Sequence, residues 1–189
     1  MSGPIVVYDA CVLYSAPLRD LLMHVAVTGL YRARWTEAIH DEWVGHLLEN
    51  RPDLKREQIL RTRDLMNVNV PGSLVTGYEE IIPTVSLPDP DDRHVLAAAI
   101  RAGAGVIVTF NLRDFPAEAL RPHHITARHP DDFLATQFDA EPDAICLAAR
   151  RQRAGLKNPP KTVDEYLSTL EAQGLPQTVA RLRTRAERI

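Results

Sequence analysis

The sequence predicts an α/β fold: a parallel sheet with helices on its faces, continued by a purely helical C-terminal region. Three observations carry this. The runs "IVVY" (5–8) and "GVIVTF" (105–110) are rich in β-branched and aromatic residues and read as strands buried on both faces. Helical patterns follow each of them, and strands alternating with helices build parallel sheets. Beyond about residue 140, apolar residues recur only at helical spacing.

After the first strand, "VLYSAPLRDLLMHVAVTGL" is one helical pattern through Leu18, Leu22, Val25 and Ala26, with Gly29 as its stop. "RWTEAIHDEWVGHLLENRPD" opens a second helix at the N-cap Thr36 and halts before Pro52. "KREQILRTRDLMNVNV" is a third helix, and "SLVTG" is short and β-like. "LPDPDDRHVLAAAIRAGA" is a Pro-rich loop leading into an Ala-rich helix. "HHITARHPDDFLATQF" reads as a short strand, a turn at Pro130 and another helix. The tail holds "PDAICLAARRQRAGL", the breaker "KNPPKT", then two amphipathic segments through Val163, Tyr166, Leu167, Leu170 and through Leu175, Val179, Leu182.

Composition bounds the function. The 189 residues, 45% apolar and 25% charged, are those of an ordinary soluble protein of one domain plus an appendage. No apolar stretch approaches the ~20 residues needed to cross a bilayer, and the N-terminus lacks a signal-peptide pattern. Two cysteines, Cys11 and Cys146, are too few for a disulfide framework and fit a reducing cytoplasm. The net charge of −3 is unevenly spread: residues 1–149 carry 13 Lys/Arg against 21 Asp/Glu, and 150–189 carry 9 against 4. An acidic body suits cations. A basic tail suits phosphate or an acidic partner, and equally a solvated helix.

The carboxylates need an explanation. Asp9 stands where a buried strand ends, and an unpaired carboxylate there is costly. In the second helix, Trp35, Ile39, Trp43 and Leu47 form the sheet-facing stripe; at ~100° per residue Glu42 lies on its edge and Asp41 on the opposite side. Asp92 begins the Ala-rich helix pointing inward, although Asp there also serves as a cap. Thr109, Asn111 and Asp114 follow the second buried strand, where Asp114 equally suits a helix cap. Ligands bind at the carboxyl ends of parallel strands, so Asp9, Glu42, Asp92 and Asp114 converge on one sheet edge. Clustered carboxylates repel unless a cation joins them, and hard oxygen donors suit Mg²⁺ or Mn²⁺. The seven histidines form no HExxH or Cys/His pattern, which argues against zinc.

"VVYDACVL", "DEW", "DPDDRHVLAAAI" and "VIVTFNLRDF" together resemble a PIN-domain ribonuclease, the fold of VapC-type toxins of bacterial toxin–antitoxin pairs. The resemblance covers residues 4–138 as a nuclease domain and leaves 140–189 as a helical extension. It implies a three-layer α/β/α sandwich and Mg²⁺-dependent hydrolysis of RNA phosphodiesters. Asp9, Glu42, Asp92 and Asp114 are then catalytic and metal-holding, with Asp9 and Asp92 as principal ligands and Thr109 and Asn111 as their supporting pair. Arg93 and Arg113 would meet the RNA backbone, aided by Arg150, Arg151, Arg153 and Lys157. A small antitoxin is the expected partner, and self-association is common among such toxins. Cys11 departs from the family, which more often has Asn, Ser or Thr there, and a hydrogen bond supporting the metal site is expected to be lost. Two other readings stay open: a degenerate PIN-fold binding module, and aspartyl-phosphate phosphotransfer. The latter is opposed by Cys11 in place of a second Asp and by the lack of a Lys after "VIVTF".

Overall fold

In the computed structural model, which describes residues 3–189, four parallel strands form one sheet in the order β2-β1-β3-β4. These are β1 (Ile5–Tyr8), β2 (Arg32–Arg34), β3 (Val106–Val108) and β4 (Thr126–Arg128). Val6, Val7, Tyr8, Ile107 and Val108 are all but fully buried, as strands covered on both faces require. Helix α5 (Arg93–Ala102) packs on β1 and β3. Its buried Val95, Leu96 and Ala97–Ala99 present mostly small side chains, so the backbones approach closely. Gly103, at φ 66°, ends α5 in the left-handed conformation that glycine adopts without strain.

The expected first helix is two: α1 (Ala10–Tyr14) and α2 (Ala16–Ala26), parted at Ser15. Pro17 cannot donate to the Leu13 carbonyl one turn back, which interrupts the ladder. Helix α3 (Glu37–Asn50) starts as expected at Thr36, whose hydroxyl accepts from Ile39 N–H at 3.1 Å. Trp35 therefore precedes α3, and Leu47 is only half-buried. β2 went unanticipated because two of its three residues are arginines; only Ala33 is buried. "SLVTG" forms a single parallel bridge between Leu74 and Trp35.

Helix α4 (Arg56–Asn69) is tied to α3 by a buried polar chain. Trp43 Nε1 donates to His40 Nδ1 at 3.0 Å, and His40 Nε2 and Trp35 Nε1 both donate to Asn67 Oδ1, at 3.0 and 2.7 Å. This arrangement assigns His40 the neutral Nε2–H tautomer. Burial lowers its pKa, in keeping with that form.

Contacts group the chain into two compact units. One runs to Tyr14 and resumes at Tyr31–His129; the other joins Ser15–Leu30 to Pro130–Ile189. This grouping differs from a boundary at 138/140 because α7 (Pro130–Ala140) packs on α10 (Pro176–Arg183), and α2 packs on α8 (Pro142–Gly155). The tail also holds α9 (Val163–Glu171), begun by a capping box between Thr162 and Glu165. The apolar stripes of α9 and α10 are buried within this unit, at Tyr166, Leu167, Leu170, Leu175, Val179 and Leu182. Arg181 pairs with Asp139, Arg183 with Asp164 and Glu171, and both Arg185 and Arg188 with Asp143. Much of the tail's positive charge is thus spent internally. Arg153 is likewise engaged, donating to the Lys161 and Ile189 carbonyls.

Candidate active site

Register brings the site together. Tyr8 pairs with Val108 across β1 and β3, so the next residues, Asp9 and Thr109, are neighbours at the carboxyl edge of the sheet. The ladder continues through them, with Asp9 N–H donating to Val108 and Thr109 N–H to Arg128.

Asp9 is 2% exposed. Its Oδ2 accepts from Thr109 Oγ1 at 2.6 Å and from the Cys11 thiol at 3.0 Å. Thr109 Oγ1 in turn accepts from Asn111 N–H at 2.9 Å, and Phe110 N–H points at Cys11 Sγ at 3.3 Å. Burial raises the Asp9 pKa; Cys11 and Thr109 oppose this by donating to the carboxylate, while Glu42 adds to it. Cys11, half-buried and beside Asp9, has its own pKa pushed far up, first by desolvation and then by Asp9, so it stays a thiol and a donor. The loss expected from cysteine at this position does not occur. A thiol supplies the hydrogen bond that a hydroxyl or amide would make.

Asp92 occupies the N-cap position of α5 but makes no side-chain cap bond. Asp89 takes the capping role in the preceding turn, accepting from Asp91 N–H at 2.9 Å. The Asp92 pKa is pushed up to about 7, first by desolvation and then by Asp9, Asp89, Asp114 and Glu42. The four sequence-predicted acids therefore feel one another. Glu42, half-buried on α3, lies 3.4 Å from His94 Nε2, while Asp41 is exposed. Asp114 is half-buried in the turn after β3, its N–H on the Asn111 carbonyl at 3.0 Å. It does not cap α6 (Ala117–Leu120), whose N-cap position is Pro116. Asn111 is exposed and braces Thr109 and Asp114 through its backbone. Arg113 is exposed, and Arg93 is half-buried with its Nε enclosed and unpartnered.

Among the described residues, no three His, Cys, Asp or Glu side chains stand close enough to form a ready-made metal set. The donor chemistry still fits a divalent ion. The groups are hard carboxylate oxygens, desolvation and then mutual repulsion raise Asp92, and among the described residues no Lys or Arg pairs with any of the four acids. Mg²⁺ takes one or two carboxylates directly and keeps several waters, so coupled acids at longer range suit it. Sequence reasoning missed His94 and Cys11 as contributors. An alignment-free signal existed for both, since each sits two residues from a predicted acid.

The sheet edge, its buried Asp and the surrounding acids define a class. Residues 5–113 match the PIN domain, and residues 130–184 match the VapC50 C-terminal domain. The chain belongs to the PIN-domain family, of the VapC type. A relative in Mycobacterium tuberculosis (strain ATCC 25618 / H37Rv), named "Putative ribonuclease VapC50", is 40% identical over 121 residues, covering 62% of this chain and 70% of its own length. No solved structure gives a significant match.

Proposed function

We propose that this protein is a metal-dependent ribonuclease and the toxin of a toxin–antitoxin pair, acting in the cytoplasm. The observation that carries the reading is the convergence of acids at the sheet edge of a PIN domain, where desolvation first, and then Asp9, Asp89, Asp114 and Glu42, push the Asp92 carboxyl up to about 7. Asp9 and Asp92 would be the principal holders of Mg²⁺ or Mn²⁺, with Glu42 and Asp114 completing the charge around it. When bound, the ion lowers the pKa of a water and stabilises charge on the phosphoryl oxygens.

The residues' own tasks follow from their contacts. Thr109 and Cys11 fix the Asp9 carboxylate by donating to Oδ2, which keeps it oriented and favours its charged form. His94 steers Glu42. Asp92 holds a proton in a sizeable fraction of ion-free molecules at neutral pH, so loading the site and releasing that proton are linked. Hydrolysis joins a water oxygen to phosphorus and breaks the bond to the 3′-oxygen. Arg93 and Arg113 would meet the RNA backbone.

The test is cleavage of single-stranded RNA with and without Mg²⁺ or Mn²⁺, comparing the wild type with Asp9→Asn. Metal-dependent cleavage lost in the variant supports the reading; cleavage retained in Asp9→Asn overturns it. A small antitoxin that covers the acids, and a homodimer, belong to the same proposal. Expression with and without the neighbouring open reading frame tests the antitoxin. The second reading is a binding module without catalysis, favoured by the lack of three close-set ligating groups among the described residues. Calorimetric Mg²⁺ titration separates the two, because a dead module binds none.

A further inference from the structure

We infer that the cleft between α1 and α3, beside the acid cluster, receives one unstacked base of single-stranded RNA next to the scissile phosphate. This rests on the ribonuclease reading and adds where the substrate's sequence is read. The cleft encloses about 490 Å³, within the range of sites for small organic groups. Glu42 and Asn111 line it, so it opens directly from the residues assigned to catalysis.

Its chemistry selects a base over a phosphate. Among the described residues no Lys or Arg lines it, and Glu42 at one end repels anions. Tyr14, His46, Asn50 and Cys11 supply further wall, with Ala10 and Trp43 completing it. Tyr14 is half-buried at the end of α1, an aromatic surface fixed at one edge. Unpaired bases in RNA are held by stacking on such rings and by hydrogen bonds to their edges.

Helical spacing sets the length. Glu42, His46 and Asn50 follow one another at i, i+4 and i+8 along one face of α3, about 6 and 12 Å beyond Glu42 at ~1.5 Å per residue. Asn50 Nδ2 donates to the His46 carbonyl at 2.8 Å. That bond assigns the amide nitrogen to the backbone and leaves Oδ1 as an acceptor for a base edge. Glu42 faces His94 at 3.4 Å, while among the described residues neither the His46 nor the Asn50 side chain enters an ion pair.

The experiment uses the full chain and a pool of randomised single-stranded RNA, with cleavage sites mapped by 5′ ends. The wild type is expected to show a base preference at a position adjoining the cut. Asn50→Ala should flatten that preference. Tyr14→Ala should raise KM for a cleaved oligonucleotide about 5- to 100-fold, with Mg²⁺ affinity unchanged by calorimetry. Tyr14→Phe, which keeps the ring, should recover most of that loss. Unchanged KM and unchanged preference in both Tyr14→Ala and Asn50→Ala overturn the inference, as does an effect confined to the affinity for a protein partner. If the wild type cleaves no RNA, the ribonuclease reading falls. The subsite is then judged by fluorescence anisotropy of a labelled oligonucleotide: binding lost in Tyr14→Ala upholds it, and equal binding rejects it.

Discussion

Asp9 and Asp131 are the same residue type at the same 2% exposure, yet their surroundings are opposite in character. Asp131 lies in the first turn of α7 and accepts from the backbone N–H groups of Gln177 and Thr178 and from the Thr178 hydroxyl, at 2.8–2.9 Å. It satisfies the orphan donors at the start of α10, and the helix dipole favours its charge there. Asp9 accepts from two side chains, one of them a weak thiol donor, while facing Glu42 and a repelled Asp92. One carboxylate stabilises the fold, whereas the other is held against its neighbours' repulsion. Burial alone does not separate the two acids; the groups around each do.

Breaking both residues tests that contrast most severely. Asp9→Asn should cut RNA cleavage roughly 10²- to 10³-fold or more while leaving the melting temperature unchanged or higher. Asp131→Ala should lower unfolding free energy by about 1–3 kcal/mol in urea titration. Reversed outcomes would dissolve the distinction.

Cys11 sharpens the Asp9 side. Cys11→Ala should weaken metal affinity or activity about 10- to 100-fold, and Cys11→Ser should restore most of it, read by calorimetry and turnover together. A smaller effect is expected at Asp92. Its raised pKa means the fold favours the protonated form, so this carboxyl destabilises the ion-free protein progressively as pH rises from the ordinary 3.8 to about 7, with the full penalty present above that. Asp92→Asn should therefore raise the ion-free melting temperature most at pH 8, less at pH 5 and little below pH 4, by differential scanning calorimetry.

His40 runs the other way. Its folded pKa lies below the ordinary 6.5, chiefly through burial, so its contribution is present above pH 6.5 and is lost as pH falls below that value. Urea midpoints of the Asp92→Asn variant between pH 6.5 and 5 should fall, and a flat profile would remove the buried neutral imidazole from the account. Smallest of all is the exposed pair Arg181–Asp139 in the tail. Arg181→Ala should leave thermal unfolding without measurable change, as exposed pairs usually do.

Much of this was legible in the order of residues. Periodicity placed β1, β3, α3, α4, α5 and the tail helices, and the i, i+4 rule separated half-buried Glu42 from exposed Asp41. Thr36 as N-cap was legible because the signal is local. β2 was not, since a three-residue edge strand of "RAR" owes its form to its partner β1 rather than to its own propensity. The tail's net charge is a coarse guide for a related reason: a count includes Arg181, Arg183, Arg185 and Arg188 as cations, while folding sets each beside an acid.

By itself, the sequence determined the parallel α/β plan, the helical tail and the roster of acids, because hydrophobic period and residue type are properties of neighbours along the chain. Tertiary structure alone decided that Thr109 and Cys11 meet on one oxygen of Asp9, that Asp89 rather than Asp92 serves as the cap, and that His94 pairs with Glu42. These depend on strand register and on which helix lies across the sheet edge, and such long-range geometry leaves no periodic trace in the chain.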